Sequence, residues 1–139
     1  MKKITRRLIC LTLVVLLVVA CAITAMASSG RGTVISNGTK FPYTWSVYCT
    51  YSYGTASIST TDSPATVAVQ AWNYLYNDLN KAYGNGDKAD ATGYGTASVT
   101  PGKIFSINGV LVSGCTVVKT TGTFYVAGQY VAQAVDTVQ

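Results

Sequence analysis

The side chains able to do chemistry in this chain are few, and those that are missing narrow the field most. The carboxylates are five aspartates, Asp62, Asp78, Asp87, Asp90 and Asp136; glutamate and histidine do not occur. Without imidazole there is no ordinary general base near neutral pH, no Ser-His-Asp arrangement and no histidine metal ligand. Zinc would need cysteines and aspartates, and no Cys-x-x-Cys pair is present. A serine nucleophile can work beside a desolvated lysine, but the Ser-x-x-Lys tetrapeptide is absent. Retaining glycoside hydrolysis needs two carboxyls about 5–5.5 Å apart across a groove, which isolated turn-type aspartates do not announce. The expectation is a protein that is not an enzyme and holds no cofactor and no metal.

Two motifs match chemistry by letter alone. Gly84-Asn85-Gly86-Asp87-Lys88-Ala89 has the glycine spacing of a dinucleotide turn but lies outside any strand-turn-helix unit, so it reads as a flexible turn. Asp78-Leu79-Asn80 begins like a calcium loop, yet Ala82 and Tyr83 stand where an oxygen ligand and a glycine are needed. Aromatic residues are the remaining lead, with ten tyrosines and two tryptophans. A small domain cannot bury them all. Tyr48, Tyr74, Tyr76 and Tyr83 are the candidate binding aromatics, with neighbouring Asn and Thr to hydrogen-bond a cell-surface glycan or a protein partner.

The elements that must carry these residues begin after a distinctive N-terminus. Lys2, Lys3, Arg6 and Arg7 precede an apolar run that closes on Ala25-Met26-Ala27, the pattern of a secretory signal peptide over residues 1–27. Two competing readings are a lipoprotein modified at Cys21, within Val18-Val19-Ala20-Cys21, and an uncleaved membrane anchor over Leu8 to Ala27. The secreted form is the expectation, and the membrane enters only through the leader. Beyond residue 27 six cations face five aspartates, so the basic pI of about 9.1 belongs to the leader. The six cations are scattered singly, which argues against nucleic acid as a partner. Cys10 and Cys21 leave with the leader. Cys49 and Cys115 remain as the expected disulfide, closing a loop of about 65 residues and worth on the order of 4 kcal/mol in the chain-entropy model.

After a Gly/Ser/Thr-rich, flexible lead-in at residues 28–40, a single domain over residues 41–139 reads as β. Period-two alternation over the eleven residues from Tyr43 to Tyr53 reads as one half-buried strand, with Tyr43, Trp45, Val47, Cys49, Tyr51 and Tyr53 on its core face. Tyr53-Gly54-Thr55-Ala56-Ser57-Ile58-Ser59 is echoed by Tyr94-Gly95-Thr96-Ala97-Ser98-Val99-Thr100, which suggests equivalent strands, one in each half of a pseudo-symmetric sandwich. Asn108-Gly109 has the signature of a type I′ hairpin, Pro101-Gly102 marks a turn, and Thr120-Thr121-Gly122 is expected to separate two more strands. Residues 66–76 are rich in β-branched and aromatic side chains and read as a strand. Val67, Ala71, Leu75 and Leu79 also recur every four residues behind Ser63-Pro64, so a helix over Ser63–Tyr83 packed on a sheet is the alternative. The expected fold is all-β, a small antiparallel β-sandwich of about seven strands.

In general texture, a bacterial-type leader followed by Ser/Thr/Tyr-rich strands, the chain is similar to small exported proteins of Gram-positive bacteria, including some β-sandwich bacteriocins. That likeness carries over no functional residue. The functional expectation is non-catalytic binding at a cell surface; a bacteriocin-like toxin and a structural cell-wall-associated protein are the alternatives.

Overall fold

The computed structural model describes residues 28–138, and within them the chain is all β. The leader readings, Cys21 included, lie outside the described residues. In chain order the strands are β1 (Ser28–Ser36), β2 (Thr39–Cys49), β3 (Gly54–Thr60), β4 (Thr66–Asn77), β5 (Ala82–Asn85), β6 (Ala89–Tyr94), β7 (Thr96–Val99), β8 (Phe105–Ile107), β9 (Val110–Val112), β10 (Thr116–Val126) and β11 (Gln129–Thr137). One sheet runs β1-β2-β3-β7; the other runs β11-β10-β4-β5, with β6 also on β4. β8 and β9 form a separate hairpin. All pairings are antiparallel, and the two larger sheets pack face to face as a small sandwich.

β4 is the centre of the five-stranded sheet, and its sequence explains why. Val67, Val69, Ala71, Asn73, Leu75 and Asn77 are buried and alternate with outward residues. A repeat of four is also twice a repeat of two, so the apparent helical stripe Val67-Ala71-Leu75 is one face of a strand. Leu79, its fourth member, is 91% exposed in the turn that follows. The helix over Ser63–Tyr83 is therefore absent, as β-branched and aromatic content favours. The glycine- and asparagine-rich stretch after it is no loose connection, because β5 pairs residues 74–77 and β6 pairs residues 66–71 along the same edge of β4. Gly86 N–H donates to the Asn73 carbonyl at 2.9 Å where the two strands meet.

The stretch read as a flexible lead-in is structured: β1 pairs with β2 along its whole length. Gly30 and Gly32 lie opposite Trp45 and Tyr43, whose rings cover them so closely that a Cβ at either position would clash. The glycines are seats for aromatic rings, and their lack of side chains hid the strand from a hydrophobicity pattern. Asn37 and Gly38, both at positive φ (49° and 77°), turn the chain between β1 and β2 as Asn108 and Gly109 (50° and 81°) do between β8 and β9. Among the described residues there are thus eleven strands where about seven were expected.

Three other expectations change. β2 ends at Cys49, because Thr50 and Tyr53 close a turn through the Thr50 N–H and hydroxyl, so Tyr51 and Tyr53 are exposed and do not face the core. β10 runs unbroken through Thr120-Thr121-Gly122; the turn comes at Ala127-Gly128, both at positive φ. Gly122 is buried against Val47, Ala56 and Phe124, so it serves close sheet packing. The repeated heptamers do not occupy separate halves. β3 and β7 are neighbours in one sheet, and Ser57 pairs with Ser98, its own equivalent, at the centre of a local two-fold relation.

The main core joins Val34, Val47, Ala56 and Ile58 from one sheet to Val67, Val69, Phe124 and Val126 from the other, with Trp45 stacked on Phe124 at 5.3 Å. A second cluster, Cys49, Leu75, Phe105, Cys115 and Val117, lies under the β8–β9 hairpin. Between the two, Asn73 forms a buried polar tie: its Nδ2 donates to the Pro101 and Gly102 carbonyls at 3.0 and 3.2 Å, and Thr120 Oγ1 donates to its Oδ1 at 2.8 Å.

Candidate functional site

The outward positions of β4 carry a cluster of large aromatic side chains. Trp72, Tyr74 and Tyr76 alternate with the buried residues and project from the five-stranded sheet. Across the register Tyr83 of β5 faces Tyr76, their rings 4.6 Å apart, and stacks on Tyr74 at 5.7 Å with 11° between the planes. Tyr83 is 59% exposed and forms the open end of the cluster. On the other flank, Lys119 of β10 holds its ammonium 5.0 Å from the Tyr74 ring, while Lys88, in the β5–β6 connection on the Tyr83 side, lies 5.3 Å from Trp72. Cation–π contacts of this kind are worth about 0.5–1 kcal/mol at exposed sites.

The position of Lys119 depends on a bulge. Val117 pairs with Leu75 and Lys119 with Tyr74, so Val118 is an extra residue in β10. Without it Lys119 would turn inward and Thr120 could not reach Asn73. Further along the same face Gln70, Thr123, Asp90 and Thr92 separate this cluster from a second aromatic pair, Tyr125 and Tyr130, set edge to face at 6.1 Å.

The structure brings together three of the four candidate aromatics. Tyr48 is on the opposite sheet, beside Tyr53 at 5.9 Å. Sequence reading passed over Trp72, although the β4 alternation that selects Tyr74 and Tyr76 selects it equally. Lys88 and Lys119 carried no such signal, because their approach depends on the β5–β6 connection and on the bulge.

The expected Cys49–Cys115 bridge is not formed, and both thiols are free and buried. They share a cluster but occupy different levels of it. Cys49 is beside Thr120, which pairs with Asn73, whereas Cys115 accepts from Asn77 Nδ2 at 3.6 Å and donates to the Val112 carbonyl at 3.7 Å. Burial pushes the Cys49 thiol pKa up, and the Asp136 carboxylate beside it adds to the rise, partly offset by contact with Thr120. Asp136 Oδ2 accepts the Cys49 backbone N–H at 2.8 Å.

No group of three or more Cys and Asp residues is placed to hold a metal among the described residues. Asp78 is engaged at 2.7 Å by Lys81, whose pKa that contact raises, on the fully exposed turn after β4. No protein-family model, curated protein or solved structure matches the chain. The functional reading therefore stands on the geometry.

Proposed function

We propose that the protein is an exported, non-catalytic recognition module that binds a cell-surface glycan through the aromatic face of its five-stranded sheet. The observation that carries this reading is the clustering of Trp72, Tyr74, Tyr76 and Tyr83 on one rigid face, flanked by Lys88 and Lys119. Aromatic rings with polar tips bury apolar area at small entropic cost and keep a hydroxyl for hydrogen bonding, which suits the alternating CH and OH surfaces of a sugar. The rings are fixed by the β4–β5 register, so little ordering is left to the moment of binding. Gln70, Asp90, Thr92 and Thr123 extend the same face with donors and acceptors.

Such contact depends weakly on salt, because screening acts on charges more than on stacking. The test is binding of the purified protein to fractionated cell-wall polymers and to intact cells, at low and high ionic strength. Binding should persist in high salt, and Tyr83→Ala together with Tyr76→Ala should weaken it about tenfold or more, the range of an interface hot spot. Binding unaffected by those changes, steeply lost with salt, or accompanied by turnover of the polymer would overturn the reading.

A further inference from the structure

The opposite face of the sandwich has a different chemistry. Every outward side chain of β3 and β7 is a serine or threonine, and β2 adds Thr44 and Ser46. The registers align them into rows that cross the strands. One row is Arg31, Thr44, Ser59 and Thr96; the next is Ser29, Ser46, Ser57 and Ser98. Within the rows Thr44 and Ser59 hydroxyls lie 3.1 Å apart, and those of Ser46 and Ser57 2.9 Å.

Between the rows runs a shallow trough of about 590 Å³, lined by these side chains other than Ser98 and by the chain at Gly30, Trp45 and Ile58. The Ile58 side chain is buried in the core and Trp45 stacks on Phe124, so backbone forms much of the floor. Arg31 is the cation of the trough. It is exposed, stands at the β1 edge, makes no ion pair among the described residues, and shares the trough with no aspartate.

An apolar partner would leave the Ser29 hydroxyl, the Arg31 guanidinium and the remaining donor and acceptor capacity of the paired hydroxyls without hydrogen bonds, at a cost. The fitting partner carries donors and acceptors at a regular interval. Neighbouring strands lie about 4.7–4.9 Å apart, close to the length of one pyranose unit in an extended chain. The single guanidinium at one end adds a site for a carboxylate, which it can grip through two parallel hydrogen bonds.

We infer that this trough binds an oligosaccharide lying across the strands, with neutral sugars over β2, β3 and β7 and a terminal carboxylate-bearing sugar at Arg31. A polyol-phosphate chain is a poorer match, because it carries a charge at every linkage and the trough offers one cation. The site is separate from the aromatic face, and with it the molecule has two saccharide surfaces on opposite sides.

The experiment titrates the purified protein with sialyllactose, a trisaccharide with one terminal carboxylate, and follows affinity by calorimetry and contact by amide chemical shifts. Maltotriose, a neutral trisaccharide, and glycerol-phosphate oligomers are the comparison ligands. Sialyllactose should shift the amides of Ser29, Arg31, Ser46 and Ser57 and bind about tenfold more tightly than maltotriose. Arg31→Gln, on an exposed edge, should remove about that tenfold, equivalent to about 1.4 kcal/mol, with the circular dichroism spectrum unchanged. Ser57→Val should weaken both sugars. Tyr83→Ala should leave sialyllactose binding intact, so failure here is distinguishable from failure of the aromatic face. Equal binding of maltotriose, stronger binding of glycerol phosphate, insensitivity to Arg31→Gln, or a dimer of this chain that occupies the trough and is broken by Arg31→Gln would overturn the inference.

Discussion

At the scale of single residues, Cys49 and Asp136 show how one contact serves two purposes. The carboxylate accepts the backbone N–H of the last residue of β2, tying the C-terminal strand to the opposite sheet. Hydrogen bonds to a charged group contribute about 1.5–3 kcal/mol, so Asp136→Ala should lower unfolding stability by about that amount in urea titrations. Burial, with the same carboxylate adding to it, raises the Cys49 thiol pKa above its ordinary value. The folded state then binds more protons than the unfolded state once pH exceeds the unfolded thiol pKa. This contribution is complete below that pKa and is lost as pH rises through the raised folded value. Stability should fall over that alkaline window, and Cys49→Ala should flatten that part of the profile. Both free thiols should resist alkylation at pH 8 in the native protein and react fully once it is unfolded.

At the scale of elements, β10 joins the parts of the fold. Its bulge at Val118 lets Lys119 face outward while Thr120 faces Asn73, and its Gly122 lets the sheets approach at the centre. A Cβ at Gly122 would lie 2.9 Å from Ala56 Cβ and 3.0 Å from Val47 Cγ2, both on the opposing sheet. Gly122→Ala should therefore destabilise by about 1–3 kcal/mol, the range for overpacking a tight core. Asn73→Ala would leave the Thr120 hydroxyl and the Pro101 carbonyl without their partner, costing about 1–3 kcal/mol. Thermal denaturation of the two variants measures both. The effect of Asn73→Ala should concentrate on the segment at residues 101–105, seen as faster amide exchange there.

At the scale of the molecule, the two hydrophobic clusters are not independent folding units. β4 contributes Val67 to Ala71 to the main cluster and Leu75 to the second, and β10 contributes Phe124 and Val126 to one and Val117 to the other. Two continuous strands run through both, so neither cluster can open without disturbing the other. Unfolding should appear as one cooperative transition, with tryptophan fluorescence and the far-ultraviolet β signal coinciding in urea. An early fluorescence change that leaves the β signal in place would separate the clusters and contradict this.

The sequence by itself pointed to an all-β fold and lacked the residues for histidine-based chemistry, because these depend on side-chain type and on local alternation, but it left residues 63–83 open between a strand and a helix, since a repeat of four fits both. The I′ turn at Asn108-Gly109 was also legible, since two consecutive positive φ values select that dipeptide. The candidate site was partly legible: Tyr74 and Tyr76 share a face through β4 alone, but Tyr83 reaches them through pairing across a turn. Tertiary structure alone decided the rest. Gly30, Gly32 and Gly122 look like flexible or turn positions until the rings and the opposing sheet that need their missing side chains are in place. The spacing of Cys49 and Cys115 said nothing about distance, because register places one beside Thr120 and the other beside Asn77. The rows of hydroxyls around Arg31 exist in no single segment; they form only where four strands, distant in sequence, are aligned by backbone hydrogen bonds.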